Sequence, residues 1–199
     1  MISPTITAAT RAQQDPVIGV ITLAFSTDPV VRWLYADPGQ YLAYGPALMD
    51  AYGGGALDHG SAHCIDGYLG AALWFPPAAH PDYDAFDALL ERTVSKAQQS
   101  LLNEAFEQMG RYHPTEPHWY LPLIGIDPSR QNQGLGSLLM QHAHDIFHRG
   151  NALAYLESSN ERNIPFYQRH GYELLGTIRV GNCPPISPML RMPRPNRTD

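Results

Sequence analysis

Apolar positions along the chain change period several times, and each change marks an element. Residues 3–8 read as an opening strand, residues 10–15 as a loop, and Asp15 or Pro16 starts a helix through Phe25. Asp28-Pro29 then resets the chain. Val31, Trp33, Leu34 and Tyr35 within 30–35, and Tyr41, Leu42, Tyr44, Leu48 and Met49 within 40–52, predict two amphipathic helices, the second ended by the glycines at 53–55. Apolar runs at 61–65 and 68–75 flank Asp66-Gly67, two residues that tolerate positive φ, so an antiparallel hairpin is expected. Pro76-Pro77 stops its second strand, because proline cannot donate into a ladder. A polar-faced helical region follows over 83–109, in one piece or two, and Pro114 and Pro117 close it.

The second half reads as a strand at 118–126, a glycine-bearing loop, a helix at 134–149 and a strand at 152–158. A strand, crossover helix and strand in this order place the two strands parallel and adjacent. A short helix at 164–170 ends at Gly171, a strand is expected at 172–180 and a last one at 189–192, before a polar tail. The alternation predicts one α/β (α+β) domain over 1–199, with a mixed sheet flanked by helices and no internal repeat.

Composition narrows the function classes. At 199 residues and 44% hydrophobic, the chain can bury a substantial core. The net charge of −6 and the lack of a Lys/Arg cluster argue against nucleic acid as a partner and favour a cationic acceptor such as an amine. No apolar run approaches membrane-spanning length, and residues 1–10 lack the pattern of a secretory signal. Cys64 and Cys183 have neither the number nor the spacing of a disulfide scaffold or zinc site, which fits a reducing cytosol. His142, His144 and His148 lie on or beside a helix without carboxylate or thiol at metal spacing, so they are read as surface or packing residues, and no metal is expected.

The chemistry concentrates in residues 130–137, Arg-Gln-Asn-Gln-Gly-Leu-Gly-Ser. A loop running from a strand into a helix turns several free N–H groups toward one point at the positive helix end, which is a seat for phosphate. Gly134 can take a positive φ there, and both glycines allow close approach of an anion. Neither a P-loop nor a Gly-x-Gly-x-x-Gly fingerprint is present. Gln131-Asn132-Gln133-Gly134-Leu135-Gly136 instead resembles the acetyl-CoA signature of the GNAT superfamily of N-acetyltransferases, in which Arg or Gln opens x-x-Gly-x-Gly or x-x-Gly-x-Ala. Ile124-Gly125-Ile126 before Asp127-Pro128, Asn160 and Asn163 after the next strand, and Phe166-Tyr167 through Gly171-Tyr172 follow in the order that the resemblance requires. Over residues 116–173 the chain is similar to puromycin N-acetyltransferase-like bacterial proteins, through 116–120, 133–137, 155–159 and 162–167. Asn132 and Gln133 depart from the signature, standing where Gly and a basic residue are frequent.

The resemblance implies a GNAT fold of about six or seven strands, with parallel central strands splayed around the coenzyme A site. Residues 1–115 would then form mainly the acceptor side and 116–199 mainly the acetyl-CoA side. Leu123, Ile124, Gly125 and Ile126 would bond the pantetheine arm, and an N–H near Ile124 would face the thioester oxygen. Gln131, Asn132, Gln133, Gly134, Leu135, Gly136 and Ser137 would hold the pyrophosphate, with Arg130 as a supplementary charge, and Asn160, Asn163, Phe166 and Tyr167 would border the arm. Tyr167 resembles the tyrosine that protonates the leaving thiolate, its alternative being packing beside the sulfur. Glu157 is the candidate base, directly or through a water, and orienting a cationic substrate is the alternative reading. Trp33, Tyr35, Tyr41, Tyr44, Trp74 and Phe75 are candidate walls of an acceptor cleft, or plain core. The expected function is acetyl transfer to a small-molecule primary amine, an antibiotic amine among the candidates, by a monomer or homodimer. A non-catalytic acyl-CoA sensor and a protein or peptide N-acetyltransferase are the alternatives.

Overall fold

The computed structural model describes residues 4–150 and 152–193, with backbone alone at 148–150. Residues 1–3, including Ser3 of the expected first strand, the His148 side chain and the polar tail from 194 lie outside the described residues. Strands β1 (Ile6–Ala8), β2 (Ala62–Ile65), β3 (Gly70–Phe75), β4 (His118–Ile126), β5 (Leu153–Ser158), β6 (Glu173–Leu174) and β7 (Ser187–Arg191) form one sheet in the order β1-β2-β3-β4-β5-β7-β6. Among the described residues β4–β5 is the one parallel pairing, as the intervening helix α6 (Leu135–Gly150) requires.

Both faces of this sheet are covered, and β3 shows how. Ala71 and Leu73 pack into one core with α1 (Gln14–Ala24), α2 (Pro29–Leu34), α3 (Pro38–Gly53), α4 (Tyr83–Thr93) and α5 (Lys96–Gly110), whereas Ala72 and Trp74 pack into the other, against Leu139, Met140 and Phe147 of α6 and Tyr167 of α7 (Ile164–Arg169). The helix starts follow their side chains. Asp28 accepts from the amides of Val30 and Val31, Asp37 from Gln40 and Asp82 from Ala85, with Pro29 and Pro38 in first-turn positions that need no donor. Ser95 accepts from the Gln98 amide and so starts α5, which divides the helical region 83–109 in two.

Two expectations need correction. The strand expected over 172–180 is reduced to Glu173–Leu174 and an isolated Ile178–Ile186 bridge. Gly176 lies between them, and the Tyr112 hydroxyl stands 2.5 Å from where its Cβ would be, so the chain leaves the ladder for a close approach instead. In the β2–β3 connection, positive φ falls on Gly67 and Tyr68 (72° and 54°) rather than on Asp66, giving a short 3-10 turn between the paired strands.

The feature that positions the site lies in β4. Its pairing with β5 runs from His118–Leu153 to Leu121–Leu156 and stops, although β4 continues to Ile126 along β3, and β5 to Ser158 along β7. The next β4 residue is Pro122, which has no N–H to give. Between the Leu73–Leu123 and Phe75–Tyr120 pairs, β4 advances three residues while β3 advances two, so a bulge sits at the proline. The parallel strands therefore part beyond Leu121 and Leu156. Alternate residues of 123–126 must turn their N–H and C=O away from β3 into the resulting gap.

Candidate active site

A cleft of about 640 Å³ occupies this gap and continues to the start of α6. Ile124, Gly125 and Ile126 line it from β4, Gln131, Asn132, Gly134, Leu135, Gly136 and Ser137 from the loop and α6, and Glu157, Asn160, Asn163, Phe166 and Tyr167 from the opposite side. Two residues expected to hold cofactor are not in that lining. Gln133 stands exposed outside it, and the Leu123 side chain points into the neighbouring apolar core.

The loop geometry follows from its residues. Asp127 accepts from the Ser129 amide at 2.8 Å and turns the chain after β4. Asn132 and Gly134 have φ of 61° and 81°, and a left-handed step is one that glycine and asparagine adopt readily. The first amides of α6 have no carbonyl within the helix to receive them, and they carry the positive end of its dipole. Gly136 brings the helix against α7, since a Cβ there would lie 3.3 Å from Phe166 Cζ. Ser137 Oγ is engaged with His170 Nε2 at 3.0 Å. Arg130, Arg162 and Arg169 are among the residues that line the cleft. The last two escaped the sequence reading because their place in the lining depends on how the 161–163 turn and α7 sit in the folded chain.

Asn160 caps the 3-10 turn at 161–163 by accepting from the Arg162 amide at 3.1 Å, whereas Asn163 makes no such cap bond with its side chain. Tyr167 is buried on α7. Burial and then the nearby Asp28 charge hold its phenol well above the ordinary range, so it stays protonated and can act as a proton donor.

In the sequence Asp28 marks only, with Pro29, the point where the chain resets. The structure places it in the cleft lining, 8% exposed, with Oδ1 accepting from the amides of Val30 and Val31 and Oδ2 from Ser159 Oγ at 2.5 Å. Burial raises its pKa, and those hydrogen bonds partly oppose the rise. Glu157 reaches the same region from β5 with a side chain only 5% exposed. Its charge, after burial, raises the phenols of Tyr52, Tyr120 and Tyr155. Tyr52 and Tyr120 share a hydroxyl hydrogen bond of 2.9 Å. On the outer side, His113 Nδ1 stands 3.6 Å from Glu157 Oε1, and His113 Nε2 meets His118 Nε2 at 3.0 Å. His118 is half-buried, and burial lowers its pKa.

A second, smaller cavity of about 100 Å³ opens at the same place and shares Phe25, Asp28, Pro122, Glu157 and Ser159 with the cleft. None of the aromatics expected as acceptor walls lines it. Tyr35, Tyr41, Trp74 and Phe75 are buried in the core, Trp33 packs against that core and Tyr44 is exposed. The aromatic walls are Phe25, Tyr52, Phe86 and Phe106, contributed by four separate segments. Among the described residues there is no cluster that could hold a metal ion, and no helix is long and apolar enough to cross a membrane. Cys64 and Cys183 are free and buried.

The splayed parallel strands, the amide loop and the flanking helices define the class: the molecule has the GNAT fold and is an acyltransferase. Residues 100–174 match the family model of the acetyltransferase (GNAT) domain. A structure from Corynebacterium glutamicum, described as histone acetyltransferase HPA2 and related acetyltransferase, is similar at 26% identity over 99% of this chain and 100% of that one, with a TM-score of 0.69. An arylalkylamine N-acetyltransferase from Aedes aegypti (11% identity, 97% and 100% covered, TM-score 0.66) and a polyamine N-acetyltransferase from Drosophila melanogaster (13%, 96% and 100%, TM-score 0.65) share the fold.

Proposed function

We propose that the protein transfers an acetyl group from acetyl-CoA to the primary amine of a small molecule in a ternary complex. The observation that carries this reading is the continuity of the cleft. It runs from the amides around Gly134 and Gly136, through the gap beside Ile124, to Glu157 and Asp28 at the mouth of the second cavity. Its dimensions and donors fit coenzyme A: amides and three arginines for phosphates, and unpaired strand edges for an amide-bearing arm.

When bound, acetyl-CoA supplies the thioester carbonyl that the amine attacks and the thiolate that departs. Glu157 takes the proton from the acceptor ammonium, directly or through water, and His113 with His118 lines its route to solvent. An N–H of the 123–126 segment faces the carbonyl oxygen as charge develops there. Tyr167 gives a proton to the departing thiolate; its raised pKa keeps the phenol protonated beforehand but makes the transfer uphill, so the step relies on proximity and on concerted collapse of the intermediate. Positioning in the gap supplies the larger share of the acceleration.

The likeness of residues 116–173 to puromycin-modifying enzymes keeps antibiotic amines among the acceptors to test, and the free, buried cysteines support a cytosolic setting. Thiol release from acetyl-CoA, measured with small amines, amine antibiotics and peptides, tests the proposal, and turnover of small amines is expected. Coenzyme A binding by calorimetry without release would make the chain a sensor. Turnover of peptides alone would make it a protein acetyltransferase.

A further inference from the structure

We propose that the acceptor is a primary amine bearing a compact, uncharged apolar tail, seated in the small cavity behind Asp28 and Glu157, and that amines carrying a second cation are rejected. This rests on the N-acetyltransferase reading and names its substrate class.

The cavity is lined by apolar residues of α2, α3, α4, α5 and β4, most of which belong to the core on this side of the sheet. Native interiors leave few voids larger than a water molecule, and an empty apolar void weakens the fold that keeps it. This one measures about 100 Å³ and opens only a residue or two from the groups that handle the reacting nitrogen. Apolar cavities of about 150 Å³ take up benzene, so a space somewhat smaller accommodates a short alkyl chain or, with slight side-chain movement, one ring.

Polarity is distributed unevenly along it. Asp28, Glu157 and Ser159 stand at the shared mouth. Beyond them every lining side chain except Tyr52 is apolar, and the Tyr52 hydroxyl is already engaged with Tyr120. An ammonium therefore finds its counter-charge at the mouth, where acetyl transfer takes place, while the tail lies among Leu34, Phe86, Leu102 and Phe106. A diamine or guanidino-amine entering the same way would bring its second cation among those side chains, stripped of water and without a partner. The same geometry that holds pentylamine or phenylethylamine thus disfavours an equally long diamine.

The test compares hexylamine with its isostere 1,5-diaminopentane, and as a second pair of matched heavy-atom count phenylethylamine with agmatine, by thiol release at saturating acetyl-CoA. The monoamine is expected to lead each pair in kcat/KM by about a hundredfold. Val31→Phe fills the cavity and should lower the ratio of hexylamine to ethylamine turnover. Phe106→Ala enlarges it and should raise that ratio, which keeps the test open should the first variant fail to fold. Preference for the diamines, or a ratio moved by neither variant, overturns the substrate assignment and leaves the N-acetyltransferase standing. Absence of release with every amine, with coenzyme A still bound, brings down both.

Discussion

Gly125 offers a direct test of whether the exact seat of β4 against α1 controls turnover. A Cβ built on it would lie 2.5 Å from Ala24 Cβ and 3.4 Å from Ile21 Cδ1. Carbon atoms pack at about 3.5–4.0 Å, so Gly125→Ala forces the strand and helix apart by about 1 Å. Neither side can yield by changing rotamer, because Ala24 Cβ is fixed to the helix backbone. Overpacking of this kind costs about 1–3 kcal/mol, or a fall in Tm of a few degrees for a chain of this size. The larger effect is catalytic. Gly125 lines the cleft in the segment whose free backbone edge faces the gap, and a 1 Å misplacement of a reacting group costs about a hundredfold. Ala24→Gly removes the offending atom and leaves only the contact to Ile21, at a helix-propensity cost of up to about 1 kcal/mol. Steady-state thiol release at varied acetyl-CoA, with thermal melts, should show kcat/KM about a hundredfold lower in the single variant and largely restored in the double variant. Wild-type turnover in Gly125→Ala, or a double variant no better than the single, would refute the reasoning.

The β4, α6 and β5 unit was legible because each part has its own local signature: an apolar run at 120–126, a glycine loop and a helical period. The splay itself was also written in the chain, at Pro122, but its meaning depends on register. A proline inside a strand breaks pairing on only one side, and only the Leu121–Leu156 step shows that β5 lies there. The acceptor side was less legible for a different reason. Periodicity tells which face of α2, α3, α4 or α5 is apolar, and all four faces do turn inward, yet no pattern records that they fail to close on one another. Bulky aromatics such as Trp74 and Tyr35 accordingly went to the core, while Phe106 became a cavity wall. Asp28 shows the same limit. Its cap on α2 is local and readable, but its bond to Ser159 spans 131 residues and turns a helix start into a site residue. A buried carboxylate with more partners than a cap needs is a sign that only the folded chain displays.

Tyr167→Phe should lower kcat by about 10²–10⁴ with little change in KM for acetyl-CoA, and turnover within threefold of wild type would remove the proton-donor role. Glu157→Gln should lose turnover that partly returns as rising pH frees more of the amine; a loss that persists at high pH would leave Glu157 as a positioning group. His113→Ala should slow turnover and respond to added imidazole, which a purely structural residue would not. His63 makes a prediction about stability alone. It lies on β2 beside His142 of α6, with ring nitrogens 3.2 Å apart, and burial followed by the His142 charge pushes its pKa down to about 4. An unfolded chain takes up this proton near pH 6.5, whereas the folded chain refuses it until about pH 4, so stability falls as the pH is lowered through that window. At about 1.4 kcal/mol per pH unit, the loss approaches about 3 kcal/mol by pH 4. Urea unfolding between pH 7 and 4 should therefore show a steeper decline in the wild type than in His63→Phe, which keeps an aromatic ring and has no proton to accept. Parallel declines would mean that His63 is hydrated and titrates normally in the folded protein.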